Sequence, residues 1–208
     1  MNLSRFSLYI SITILLSCNS KKTEEFTFYK NDHKRTEIIK VDGRLVKFNH
    51  YNLEKCSSFD VFYSNKGEPD SVSGLPWIHL FWKNQIENYN IGDTLKLIIE
   101  VANPPLLESK FDITDNNGNG FSKRINSYTC NWSTKDDDEP YLLNGDFYEY
   151  KTIINENFEF IKFSNTYSYK GKPWITITRK QELTTVKNKK RGIKLNPSFV
   201  IYLPFPAI

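Results

Sequence analysis

The 208-residue chain is predicted to be all-β, an antiparallel sandwich, on three observations. Short runs of β-branched and aromatic residues recur along it, and aromatics make up 15% of the whole, a palette that favours pleated, half-buried strands. Gly, Pro, Asn and Asp punctuate those runs at turn-like intervals. No stretch keeps a helical repeat for three turns, and alanine, the best helix former, stands only at Ala102 and Ala207.

In chain order, Phe26–Lys30 reads as the first strand. Thr36–Val41 and Arg44–Phe48 flank Asp42-Gly43, a pair that favours the tight turn of an antiparallel hairpin. Phe59–Tyr63 follows, then Trp77–Trp82, whose nearly continuous apolar character predicts a central strand. Gly92-Asp93 turns into Thr94–Ala102, where Leu95, Leu97, Ile99 and Val101 alternate with Thr94, Lys96 and Glu100. Ile98 interrupts that alternation, which predicts a strand covered on both faces over part of its length. Asn103-Pro104-Pro105 ends the strand, because proline cannot donate to the ladder. Lys110–Thr114, Phe121–Ile125, Ser127–Trp132, Phe147–Ile154, Asn157–Phe163, Trp174–Arg179 and Phe199–Leu203 complete the set. Asn155-Glu156-Asn157 is expected to close a hairpin.

The N-terminus carries an address. Arg5 is the one basic residue of a short leader, and Phe6–Leu16 is uncharged and apolar apart from Ser7, Ser11 and Thr13. That run is too short for a transmembrane helix, which needs ~20 apolar residues. Leu15-Leu16-Ser17-Cys18 follows at once. This order resembles the signal peptide and lipobox of bacterial lipoproteins. The resemblance implies cleavage by signal peptidase II after residue 17 and diacylglycerol on the Cys18 thiol. Asn19 differs from the aspartate that resembles an inner-membrane retention signal, which implies the outer membrane of a Gram-negative envelope, with the periplasmic or surface face left open. Residues 18–25 are then the lipidated cysteine and a flexible polar tether, and residues 26–208 the all-β domain. Loss of Arg5 with the leader lowers the formal charge from +4 to +3.

Gly92-Asp93-Thr94-Leu95-Lys96-Leu97 resembles the turn and early strand of bacterial immunoglobulin-like domains. Tyr128-Thr129-Cys130 resembles a tyrosine corner, and the order Cys56…Trp82…Cys130 is similar in kind. These resemblances imply an immunoglobulin-like sandwich. A lipocalin-like barrel is the alternative, because it also accommodates about ten strands with aromatics turned inward.

Of the three cysteines, Cys56 and Cys130 remain after lipidation. Export permits a disulfide between them, worth ~2–4 kcal/mol, and two separate buried thiols are the other reading. Asp115, Asn117 and Asn119 in Asp115-Asn116-Asn117-Gly118-Asn119-Gly120 have the spacing of the first half of a calcium loop. The twelfth position is Asn126 where a bidentate acid is needed, so a strand-connecting turn explains the residues and no metal is assigned. Asp136-Asp137-Asp138-Glu139 reads as a solvated loop, and Lys187, Lys189, Lys190, Arg191 and Lys194 as an exposed basic tip. Trp132 and Trp174 lie near strand ends and are the candidates for stacking on a glycan. His33, His50 and His79 lack metal-ligand spacing. His50 and Cys56 invite a nucleophile–base pair, but no third orienting group is apparent.

No motif of a P-loop, a nucleophile elbow or a zinc protease is present. The expectation is a non-enzymatic envelope module without a cofactor, attached to the membrane through its lipid and binding a protein or glycan, not nucleic acid. A glycan hydrolase and a periplasmic inhibitor or immunity lipoprotein are the alternatives.

Overall fold

The computed structural model describes residues 20–29, 32–52, 57–80, 91–130, 141–185 and 193–202. Thirteen strands run through them with no helix: β1 (Lys22–Phe28), β2 (Lys34–Val41), β3 (Arg44–Tyr51), β4 (Ser57–Tyr63), β5 (Pro69–Gly74), β6 (Trp77–Leu80), β7 (Thr94–Val101), β8 (Glu108–Asp115), β9 (Phe121–Cys130), β10 (Tyr141–Ile153), β11 (Phe160–Tyr169), β12 (Lys172–Thr185) and β13 (Ile193–Tyr202). They form a five-stranded sheet β1-β2-β3-β4-β5 and two four-stranded sheets, β6-β7-β10-β9 and β13-β12-β11-β8. Every pairing is antiparallel.

The two four-stranded sheets pack as a sandwich. Leu95, Leu97, Ile99 and Val101 of β7 face Phe111 and Ile113 of β8 and Ile161 and Phe163 of β11 in one buried cluster. Trp77 of β6 meets Phe111 and Phe163 with ring centroids 5.9 and 6.2 Å apart. Relabelled from β6 as A, the sheets run A-B-E-D and C-F-G with β13 added beside G, the strand order of a constant-type immunoglobulin domain. The sheets do not close into a barrel. The chain leaves β7 through Asn103-Pro104-Pro105 and enters β8 in the opposite sheet, so no ladder continues between them.

The residues that carried the immunoglobulin-like resemblance are placed differently. Tyr128 and Cys130 lie on β9, the D position, and not at the corner leading into F. The B and F strands, β7 and β11, contain no cysteine. Trp77–Trp82 was expected at a sheet centre, but β6 is an edge strand. Its apolar character has another cause: Trp77 faces the sandwich core while Ile78 is buried on the opposite side. Phe121–Ile125 and the described part of the next run, Ser127–Cys130, merge into β9, and Asn155–Asn157 carries the chain from one sheet to the other and closes no hairpin.

The N-terminal sheet closes one end of the sandwich. Phe59 stacks on Tyr167 of β11 at 5.5 Å and 12°, and the Tyr63 hydroxyl donates to the carbonyl of Pro105 at 2.8 Å. Asp42 (φ 52°) and Gly43 (φ 74°) make the expected tight turn, in which both central residues adopt positive φ. Lys22–Glu25, expected in a flexible tether, instead forms the first half of β1, paired with Ile38–Val41. All four side chains are exposed, so burial gave no sequence signal, and the backbone ladder recruits them with a cross-strand ion pair from Lys40 to Glu25.

Candidate functional site

Strand β7 is covered on both faces, as the break at Ile98 predicts. Its outer face carries Ile98 and Glu100, which join Tyr29, Ile78, Leu143 and Phe147 beneath the N-terminal sheet. Glu100 is 2% exposed. A buried carboxylate needs donors, and three converge on it. The Tyr29 hydroxyl donates to Oε2 at 2.8 Å, Arg35 Nε donates to Oε1 at 2.6 Å, and His50 Nε2 lies 3.3 Å from Oε1. Burial alone would push the Glu100 carboxyl up. The attraction and hydrogen bond of His50, followed by Arg35 and Tyr29, outweigh it and hold the group at about 2.

Two β-bulges aim the side chains. Thr27 pairs with Thr36 and Phe28 with Lys34, so Arg35 is the extra residue of β2 and points off the regular alternation towards Glu100. Its guanidinium lies between the rings of Tyr29 and Phe147, 5.8 and 5.7 Å from their centroids. In β10, Asn144 pairs with Ser127 and Phe147 with Ile125, so Gly145-Asp146 bulges against β9. Gly145 backs onto Arg35 so closely that a Cβ would collide with the guanidinium. Any larger side chain at this position would have to displace Arg35.

Above this network lies an open cleft of about 200 Å³, lined by Arg35, His50, Glu100, Asn103, Asn144 and Asp146 among others. The floor is buried and charged, while Asn103 and Asn144 form an exposed amide rim. Thr27 and Thr36, also in the lining, bond hydroxyl to hydroxyl at 2.6 Å. Asp146 accepts from Arg124 Nε at 2.8 Å.

A second polar cluster sits on the opposite face of the N-terminal sheet. Glu37 accepts from the Tyr51 hydroxyl at 2.5 Å, from Lys34 Nζ at 3.0 Å and from the Asn49 amide. Burial pushes Glu37 up but these bonds bring it below the usual range, while burial and Glu37 together push Tyr51 up to about 12.

The calcium-like segment is a structural turn. Asp115 Oδ1 accepts from the Gly118 backbone N–H at 2.8 Å, and Oδ2 accepts from Thr152 at 2.6 Å and from the Tyr150 hydroxyl. Asn116 Oδ1 accepts from the backbone of Glu159 at 2.9 Å and Phe160 at 3.1 Å. Asn117 Nδ2 reaches the carbonyl of Ile153 at 3.3 Å, and Asn119 is exposed. Among the described residues no group of three or more His, Cys, Asp and Glu side chains is arranged to hold a metal ion. The segment ties the β8–β9 connection to the β10–β11 crossing.

Trp174 is half-buried and packs against the main core. Cys18, Cys56, Trp132 and Asp136–Glu139 lie outside the described residues, and Cys130 is placed only as the end of β9. Of the sequence candidates among the described residues, the structure brings His50 into the cleft. Glu100, Arg35 and Tyr29 were missed. The available signal was Ile98: a strand covered on both sides must also bury the acid two residues later, and a buried acid demands a cation.

Comparison with known protein families, with curated proteins and with solved structures finds no match for this chain.

Proposed function

We propose that this chain is a lipid-anchored envelope protein that binds a protein or glycan partner through the cleft over Glu100. The anchoring part rests on Leu15-Leu16-Ser17-Cys18 and the apolar leader before it. The binding part rests on one observation, the open polar cleft at the seam between the N-terminal sheet and the sandwich. Sites that enclose a whole small molecule run to ~300–1,000 Å³, so a cleft of about 200 Å³ suits one sugar unit or one polar side chain of a larger partner. Its amide rim offers both donors and acceptors to hydroxyl or amide groups.

The chemistry of the cleft favours binding over hydrolysis. Glu100 and Asp146 are two carboxylates in one cleft, as a glycosidase requires, but such an enzyme also needs one of them protonated as its general acid. Glu100, held at about 2, cannot be that acid.

The test uses the full lipidated protein extracted in mild detergent. It is presented to a panel of envelope glycans and to solubilised envelope proteins, beside an Asn144→Trp variant whose bulk closes the rim. Capture that the variant loses, with thermal stability unchanged, supports the reading. Equal capture by both proteins, or none by either, sinks it, and shortening of a captured glycan would replace it with the hydrolase.

A further inference from the structure

We infer that the end of the molecule from which the anchor emerges is a docking surface for anionic phospholipid headgroups, holding the cleft away from the membrane. The inference rests on the anchoring reading above and adds a surface and an orientation to it.

The leash is short. The backbone of Lys21 already bonds the β2–β3 turn: Lys21 N–H donates to Asp42 Oδ1 at 2.8 Å and Asp42 N–H to the Lys21 carbonyl at 2.9 Å. Three residue steps separate Cys18 from Lys21, a reach of at most ~11 Å. A lipid on Cys18 therefore keeps this end of the sheet within about a Debye length of the headgroups, where surface charge is felt.

The same end gathers several turns. Arg44 Nη1 donates to the carbonyl of Asn65 at 2.9 Å, joining the β2–β3 and β4–β5 turns. Glu68 accepts from Tyr169 at 3.3 Å and Lys170 at 3.0 Å, adding the β11–β12 turn. Exposed Lys21, Lys22, Arg44, Lys66, Lys170 and Lys172 meet there. Glu24, Asp42 and Glu68 pair with Lys22, Arg44 and Lys170, leaving Lys21, Lys66 and Lys172 with no salt bridge among the described residues. Exposed Asp70 follows the β4–β5 turn and exposed Glu108 pairs with Ser168 beside the β11–β12 turn, so six cations stand against five acids and the net surplus is one. The three lysines outside salt bridges, set beside a lipid anchor, are the groups an anionic leaflet would draw on, each basic residue biasing the partition by ~5-fold.

Orientation follows from β1. Lys22 begins it at the basic end and Thr27 lines the cleft. Five strand steps span ~17 Å, so docking of the basic end lifts the cleft by about that height and leaves its mouth open to partners.

The experiment is hydrogen exchange followed by mass spectrometry on the full lipidated protein in two vesicle types. One contains phosphatidylethanolamine and phosphatidylglycerol, and in the other phosphatidylcholine replaces the phosphatidylglycerol. The expected result is ~5-fold or greater slowing of amides 64–68 and 169–172 on phosphatidylglycerol vesicles. That slowing disappears at high salt and in the variant Lys66→Glu, Lys170→Glu, Lys172→Glu, whose core amides exchange as in the parent. Equal exchange on both vesicles, with the acyl mass present on Cys18, overturns the docking surface and leaves the anchor standing. An unmodified Cys18 in the cell-purified protein overturns the anchor, and the docking surface with it.

Discussion

Asp115 and Glu100 are both shielded acids held by side-chain donors from another sheet or segment, yet they stand at opposite ends of legibility and use. Asp115 sits in a motif that draws the eye, and its oxygens are taken by Gly118, Tyr150 and Thr152 within a closed turn. Glu100 sits in an apolar strand with no motif, and the network around it opens onto a cleft. Residue spacing reports local backbone geometry, whereas a binding site also needs an approach path. For Glu100 that path opens where the third sheet meets the sandwich.

The difference can be tested by removing each acid. Glu100→Gln should cost about 3–5 kcal/mol, because it leaves the Arg35 charge buried without its counter-ion. Chemical denaturation measures it, and a loss below about 1 kcal/mol would mean that water reaches the site freely. The same carboxylate makes a pH signature. Its folded value lies below its unfolded one, so its contribution is complete above about 4.5 and fades as pH falls towards about 2. Stability on the order of 3 kcal/mol should be lost across that window in the parent and not in Glu100→Gln. Matching acid profiles for the two proteins would remove Glu100 as the source.

Asp115→Ala should cost less, about 2–3 kcal/mol, as the Tyr150 and Thr152 hydroxyls lose their shared acceptor. Calcium in the millimolar range should leave the melting temperature of the parent unchanged, and a rise would return the segment to metal binding. Gly145→Ala should cost about 1–2 kcal/mol by displacing Arg35, and should weaken partner capture more than it weakens the fold. A variant that binds normally would show that Arg35 only supports the seam.

Much of the sandwich was legible, for reasons that particular residues show. Leu95, Leu97, Ile99 and Val101 alternate because one face of β7 meets the opposite sheet, and Asp42-Gly43 turns because both residues tolerate positive φ. β5 went unseen because Pro69–Gly74 carries only Val72 as an apolar residue, and its pairing partner β4 defines it. The first half of β1 went unseen for the same reason, since its exposed charged residues look like a tether. In the cleft, the sequence marks His50 as a residue but not as a partner of Glu100, fifty positions away and on another sheet.

By itself the sequence determined the all-β class, most strand positions, the tight hairpin turn and the double coverage of β7. These follow from local propensities and from side-chain alternation, which act over a few residues. Only the tertiary structure decided that β6 lies at an edge, that the calcium-like segment is a closed turn, and that Arg35, His50 and Glu100 share one seam. Those outcomes depend on which sheets bury which faces and on bulges that turn single side chains by one register. Both are settled by packing between distant segments, where no local pattern records them.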